Sequence, residues 1–185
     1  MMKRCSWVDK TSKRYQDYHD KEWGIPVYDD TKLFELLTLE IFQSGLSWLT
    51  ILNKQDAFYK AFDGYDLHKI ARYDACKIQE LLNNVGIVRN QRKIEATIQN
   101  ARVFLSIQKE WTSFSTYIWH FTNHQVIVED PTHETSSKLS QTIALDLKKR
   151  GMKGVGSVTI YSYLEAIGVY NHHEEGCFLH KKIVP

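Results

Sequence analysis

The chain has no apolar run approaching the roughly 20 residues that cross a bilayer. Its start, MMKRCSWVDK, lacks the apolar stretch of a secretion signal. Both absences lead us to expect a cytoplasmic protein without membrane contact. Its three cysteines, odd in number and widely scattered, do not make a disulfide framework. Neither sign of charge dominates, since 24 Lys plus Arg stand against 22 Asp plus Glu, for a net charge of +2. Bulk charge therefore argues neither for nor against a nucleic-acid partner, and local clusters must decide. No H-x-E followed by P-C-x-x-C occurs, so zinc-dependent deamination of bases is not supported. Repeats, low-complexity tracts and linkers are also lacking, and the 185 residues read as a single domain, 1–185.

What remains is a helical pattern from end to end. Hydrophobic residues make up 43% of the chain and aromatics 12%, as in a globular enzyme with a sizeable core. Helices are expected over 30–44, after Asp66, over 74–84 with Gly86 as the stop, and over 90–109 with Ile94, Ile98, Ala101 and Leu105 as its stripe. Ser113 can cap another, Ser136 or Ser137 the next, which Gly151 ends. Residues 157–167 carry many β-branched side chains, but their length, their flanking glycines and the spacing of Val158, Tyr161 and Leu164/Glu165 favour a helix. Only 125–128 reads as strand, followed by the polar loop EDPTHETSS. The fold class is all-α.

Glu40 stands out. Leu33, Leu36, Leu37, Glu40, Ile41 and Ser44 fall on one helical face, so a carboxyl is set among apolar side chains. A buried ion pair, or a boundary position reaching water, would explain it. The turn that follows, Gln43-Ser44-Gly45-Leu46-Ser47-Trp48, favours a third explanation: a small pocket that hydrogen-bonds and stacks on a flat ligand.

Two other groupings carry chemistry. Cys5 and His19 near the start, with His173 and Cys177 near the end, could close a tetrahedral zinc shell with no open position. Ordinary surface histidines explain the same residues, and His124, His172 and His180 are rival ligands. Cys76 reads as a helix-packing residue. In LKKRGMKGVGS, Lys148, Lys149, Arg150 and Lys153 surround Gly151, Gly154 and Gly156 just before a helix. That arrangement could cradle a phosphate or be a plain basic helix end. Its spacing is neither a P-loop nor a dinucleotide fingerprint. Arg89, Arg92 and Lys93 form a second basic patch, equally well read as a solvated face.

Five stretches together resemble one family. They are Cys5-x-Trp7, Tyr15-x-x-Tyr18-His19-Asp20-x-Glu22-Trp23-Gly24, Leu39-Glu40 through Gly45-Leu46-Ser47-Trp48, Asn123-His124, and Val169-x-Asn171-x-His173-x-x-Gly176-Cys177. The chain is similar in these to the type I 3-methyladenine DNA glycosylases, base-excision repair enzymes of the helix-hairpin-helix class. The resemblance implies hydrolysis of the N-glycosidic bond of 3-methyladenine by base flipping, without lyase activity. Its partner would be double-stranded DNA carrying alkylated adenine, and we expect a monomer. One structural zinc per chain would sit on Cys5, His19, His173 and Cys177. The lesion pocket falls on Glu40 as the catalytic group and on Tyr15, Tyr18, Trp48 and Trp7 as base-binding residues, with Tyr18 and Trp48 sandwiching the base. DNA contacts fall on Gly45 and Leu46, and on Lys153, Gly154, Gly156 and Ser157 of the hairpin. Two departures stand out: Phe42 where the family has a polar residue, able to alter the pocket wall, and His172 where an acid is frequent, a possible competing ligand. A non-catalytic zinc module that binds alkylated DNA is the alternative.

Overall fold

In the computed structural model, which describes residues 3–182, nearly every polar residue expected to start a helix does so with its side chain. The helices are α1 (Lys13–Lys21), α2 (Asp30–Gln43), α3 (Trp48–Leu52), α4 (Gln55–Ala61), α5 (Leu67–Ile70), α6 (Ala75–Asn83), α7 (Gln91–Trp111), α8 (Phe114–His120), α9 (Lys138–Lys149) and α10 (Ser157–Ala166). Asp29, Asp66, Asp74, Asn90 and Ser113 each accept a hydrogen bond from a first-turn amide. Between the two candidate serines the structure selects Ser137, which forms a reciprocal capping box with Ser140. The all-α expectation holds, with one addition. Ile127 and Val128 form a minimal strand, β1, paired in parallel with Tyr170 and Asn171, β2.

The centre of the molecule is α2. Every residue from Leu33 to Phe42 is buried, because α3, α7, α8 and α10 all pack on it. The one-sided stripe expected from the spacing is therefore corrected: a helix wrapped on all sides shows no polar face. Helix α10 differs from expectation in the same way. Val158 is 53% exposed, and the buried face is carried by Ile160, Tyr161, Tyr163 and Leu164. Cys76 is exposed at the start of α6 and packs no core.

A second, smaller apolar cluster joins the two ends of the chain: Cys5, Val8, Cys177 and Leu179, with Trp7, Trp23 and Phe178 against it. The ends meet closely. A Cβ on Gly24 would lie 2.7 Å from the His173 ring, and φ is +74° there, so only glycine fits between them. Helices α9 and α10 form a hairpin through residues 150–156. Asn100 of α7 clamps that turn: its amide nitrogen donates to the Lys153 carbonyl (2.9 Å), and its amide oxygen accepts from the Lys153 N–H (2.7 Å).

Candidate active site

The C-terminal half of α2 delivers Glu40 to a cavity of about 290 Å³. All five residues predicted for a base pocket line it: Glu40, Tyr15, Tyr18, Trp48 and Trp7. Sequence reading missed Trp23, Gln43, Ser162, Glu165 and Glu174, which line it too. Trp23 and Gln43 lie inside the motifs already singled out. Ser162 and Glu165 lie on α10, whose face toward the cavity had no sequence signal of its own.

Glu40 is 6% exposed. Burial, and then repulsion from Glu165, push its carboxyl up to about 8; no hydrogen bond among the described residues offsets this. Tyr18, equally buried, has its phenol pushed well above its usual range by burial and by Glu40. The Tyr18 and Trp48 rings lie 5.3 Å apart between centroids, tilted by 52°. A base between two rings needs two gaps of ~3.5 Å. In the structure these two rings form adjoining walls of the cavity. The Trp48 indole N–H is buried without a hydrogen-bond partner, an arrangement that costs about 1–3 kcal/mol unless something occupies it.

Both departures noted in the sequence find ordinary places. Phe42 is fully buried on the far side of α2, edge-on to Phe58 (4.8 Å) and near Phe62 (6.0 Å), so it does not shape the cavity. His172 is not drawn into the cysteine cluster. Its Nδ1 lies 2.7 Å from Glu165 and its Nε2 3.1 Å from Glu129. Burial alone would lower its pKa, but the two carboxylates outweigh it and raise it.

Beneath the Trp7 and Trp23 rings, Cys5, His19 and Cys177 bring their ligand atoms within 4.8 Å of one another. His173 stands outside that trio but adjacent to it, its ring 5.1 Å from that of His19. Donor chemistry decides whether a metal fits. His19 Nδ1 meets Asp20 at 2.8 Å, and Asp20 is itself gripped by Arg4. His173 Nδ1 meets Asn171 Oδ1 at 2.9 Å, and the amide orientation is fixed because Asn171 Nδ2 donates to the Lys182 carbonyl. Each Nδ1 thus carries the proton, leaving each Nε2 with a lone pair; that of His173 is buried and unpartnered. Burial lowers both histidines, His173 to about 4, and so keeps them in the metal-binding neutral form. The Cys5 thiol is pushed up to about 12 by burial, so a thiolate there calls for a cation beside it. Cys5, His19 and Cys177 together could hold a metal ion.

The predicted DNA-contact residues lie on two turns outside the cavity. Gly45 has φ +84°, and Leu46 beside it is 39% exposed. Lys153 and Gly154 line a groove of about 620 Å³ with Ile41, Ser44, Arg92 and Lys93. Gly156 and Ser157 open α10, whose first turn has no side-chain cap. Of the two basic patches, ambiguous in sequence, only Lys153 from the first and Arg92 and Lys93 from the second reach this groove; Arg150 is paired instead with Asp146 and Glu110. Lys93 is more than a solvated charge: its Nζ donates to the carbonyls of Phe42 (2.8 Å) and Ser44 (2.7 Å) and pins the turn after Glu40.

The helical body carries a buried acid in an aromatic cavity, beside a groove that Arg92, Lys93 and Lys153 help to line. Comparison with known proteins identifies the family. Residues 7–180 match the family model described as methyladenine glycosylase. The chain is 40% identical over 181 residues to a DNA-3-methyladenine glycosylase of Haemophilus influenzae, covering 96% of this chain and 97% of that protein. It is 39% identical to DNA-3-methyladenine glycosylase 1 of Escherichia coli, covering 95% and 96%. A crystal structure of 3-methyladenine DNA glycosylase I superposes with a TM-score of 0.92 at 40% identity, over 96% of this chain and 100% of that one. A variant 3-methyladenine DNA glycosylase I in complex with 3-methyladenine gives 0.93 at 35%, over 99% and 100%. The chain belongs to the methyladenine glycosylase family.

Proposed function

We propose that this chain hydrolyses the N-glycosidic bond of 3-methyladenine in double-stranded DNA, releasing the free base and leaving an abasic site. The observation that carries this reading is Glu40, buried in an aromatic cavity and without a hydrogen-bond partner among the described residues. Its context is a chain similar throughout to glycosylases, one of them crystallised with 3-methyladenine.

A base stacked in a duplex is out of reach, so the nucleotide swings into the cavity at a cost of a few kcal/mol. Leu46, exposed on the Gly45 turn, fills the gap it leaves. The hairpin at Lys153, Gly154, Gly156 and Ser157 holds the backbone through lysine charge and the amides of the α10 start. In the cavity Glu40 accepts a hydrogen bond from the exocyclic amino group. Tyr18 and Trp48 give the cationic purine two adjoining π faces, worth ~0.5–2 kcal/mol over neutral adenine, and Tyr15 and Trp7 close the side. As the bond from C1′ to the base breaks, its electron pair neutralises the purine. Water then adds to C1′ and gives up a proton. Binding the cation alone would stabilise only the ground state, so catalysis comes from holding base and sugar as the charge moves from one to the other.

Zinc on Cys5, His19, His173 and Cys177 would supply structure, not chemistry. These four residues fasten the terminal segments to α1, and Tyr15 and Tyr18 of α1 line the cavity. Elemental analysis of purified protein should find about one zinc per chain; a metal-free, fully stable protein would remove this part. The function is tested by chromatography of base released from methylated duplex DNA. Free 3-methyladenine should appear with wild type. Tight binding to the DNA without release would leave only a damage-binding module.

A further inference from the structure

A second carboxyl opens into the cavity, and the mechanism above does not use it. Glu165 of α10 lines the cavity together with Glu40, Tyr18 and Ser162. Its side chain is 21% exposed, yet it is fixed in place. Oε1 accepts a 2.7 Å hydrogen bond from Nδ1 of His172, and that ring is only 1% exposed, so water competes little for the bond. On its other side the ring is held at 3.1 Å by Glu129, at the start of the loop whose Pro131 also lines the cavity. Among the described residues no hydrogen bond engages Oε2. One oxygen is anchored and the other is free.

Three acids line the cavity; both carboxylate oxygens of Glu174 are taken by Ser6, and the other two are built differently. Glu40 has no hydrogen bond among the described residues to hold a negative charge in place, and burial pushes its carboxyl up to about 8. Glu165 accepts from a buried histidine that is backed by another acid. Recognition of the lesion poses a matching double task. N3-methyladenine in DNA differs from adenine by a methyl group and by a positive charge. One methyl group in a pocket is worth only about 10- to 200-fold in selectivity. An opposite charge within about 4–6 Å favours the charged form of a group by roughly 10- to 1000-fold.

We propose that Glu165 is a specificity-determining residue, reading the positive charge of the methylated purine nucleotide while Glu40 reads its hydrogen-bonding edge. The His172–Glu129 pair positions that carboxylate. This inference rests on the glycosylase reading, and its test separates the two.

Single-turnover release of 3-methyladenine from duplex DNA is measured for wild type, Glu165→Gln and Glu165→Asp. Binding of the same proteins to duplex carrying 3-deaza-3-methyladenine, a neutral isostere, is measured in parallel. Glu165→Gln keeps an oxygen for His172 but loses the charge. It should slow release of the cationic lesion by about tenfold or more while binding to the neutral isostere stays within about twofold. Glu165→Asp, which keeps the charge, should recover most of the loss. Unchanged release by Glu165→Gln overturns the proposal. So does a parallel fall in release and in isostere binding, which marks a packing role. A wild-type protein that releases no 3-methyladenine overturns the glycosylase reading itself, whereas an active wild type with an equally active Glu165→Gln overturns this inference alone.

Discussion

Helix α2 buries two glutamates five residues apart, roughly 140° around the axis, and treats them in opposite ways. Glu35, 7% exposed, sits in a closed ring of partners. Gln55 donates to it, Lys32 lies 3.1 Å away, Lys32 also faces Glu22, and Arg14 bridges Glu22 back to Gln55. Glu40, 6% exposed, has no such ring, and its carboxyl faces a cavity. Burial of an acid is thus not in itself a sign of function. A buried acid whose hydrogen bonds are all made belongs to the fold. One without a hydrogen bond among the described residues, in a cavity that also holds an unpartnered indole N–H, is the one to test for function.

The sharpest way to break this contrast is to neutralise each acid and follow activity and stability separately. Glu40→Gln keeps the shape and removes the carboxyl. We expect 3-methyladenine release to fall by about 100-fold, the scale set by misplacing a held reactant by about 1 Å. Wild-type release would remove Glu40 from the mechanism. Stability should move the other way. The folded-state value of about 8 for Glu40 lies above its unfolded value, near 4.5. The native state therefore binds the extra proton, and the stability this contributes is complete below pH ~4.5 and is lost as pH rises through ~8. Relative to wild type, Glu40→Gln should gain stability progressively between about pH 5 and 8, by at most a few kcal/mol. Denaturant titrations at several pH values measure this directly. A difference that does not change with pH would mean that Glu40 is not held protonated.

Glu35→Ala should show the complementary behaviour. Removing it orphans Gln55 and loosens Lys32, at a cost of about 1–3 kcal/mol. Single-turnover release should stay within about twofold at a temperature where both proteins are folded. A large loss of activity with native stability would erase the distinction between the two acids.

Much of this was legible in the sequence, for identifiable reasons. Caps at Asp66, Asp74, Asn90 and Ser113 are local chemistry, and each starts the expected helix. Glu40 was conspicuous because a carboxyl interrupts an apolar face. Glu35 was not, since a helix buried on every side has no polar face against which to judge it. The strand pair β1–β2 joins segments some forty residues apart, and only half of it left a trace in propensity. Glu165 and the clamps from Lys93 and Asn100 depend on which helices meet, which periodicity along one helix does not encode. The tilt between Tyr18 and Trp48 is a similar case: motif spacing brings the rings to one cavity but does not fix their planes.

The smallest expected effect tests whether the Glu40 half of α2 is coupled to the hairpin while the Glu35 half is not. Gly154 has φ +72°, and a Cβ there would lie 3.0 Å from Cγ2 of Ile41, the residue after Glu40. Gly154→Ala therefore carries two penalties. The left-handed backbone costs an alanine roughly 1–2 kcal/mol, and the added methyl must push back either the hairpin turn or Ile41. Asn100 holds that turn from both sides at Lys153, so the turn cannot simply move away. We expect a fall in melting temperature of a few degrees, the scale of ~1–2 kcal/mol in a protein of this size, with a severalfold loss of lesion release. Combining it with Glu35→Ala should give additive stability losses, because the two sites share no partners and additivity holds for independent positions. Combining it with Ile41→Ala, which removes the Cγ2 methyl that the new methyl meets, should recover part of the activity at a temperature where the double variant is folded. If the Ile41 substitution recovers nothing, the hairpin and the acid at the cavity are independent, and the division of α2 into two halves no longer extends to the hairpin.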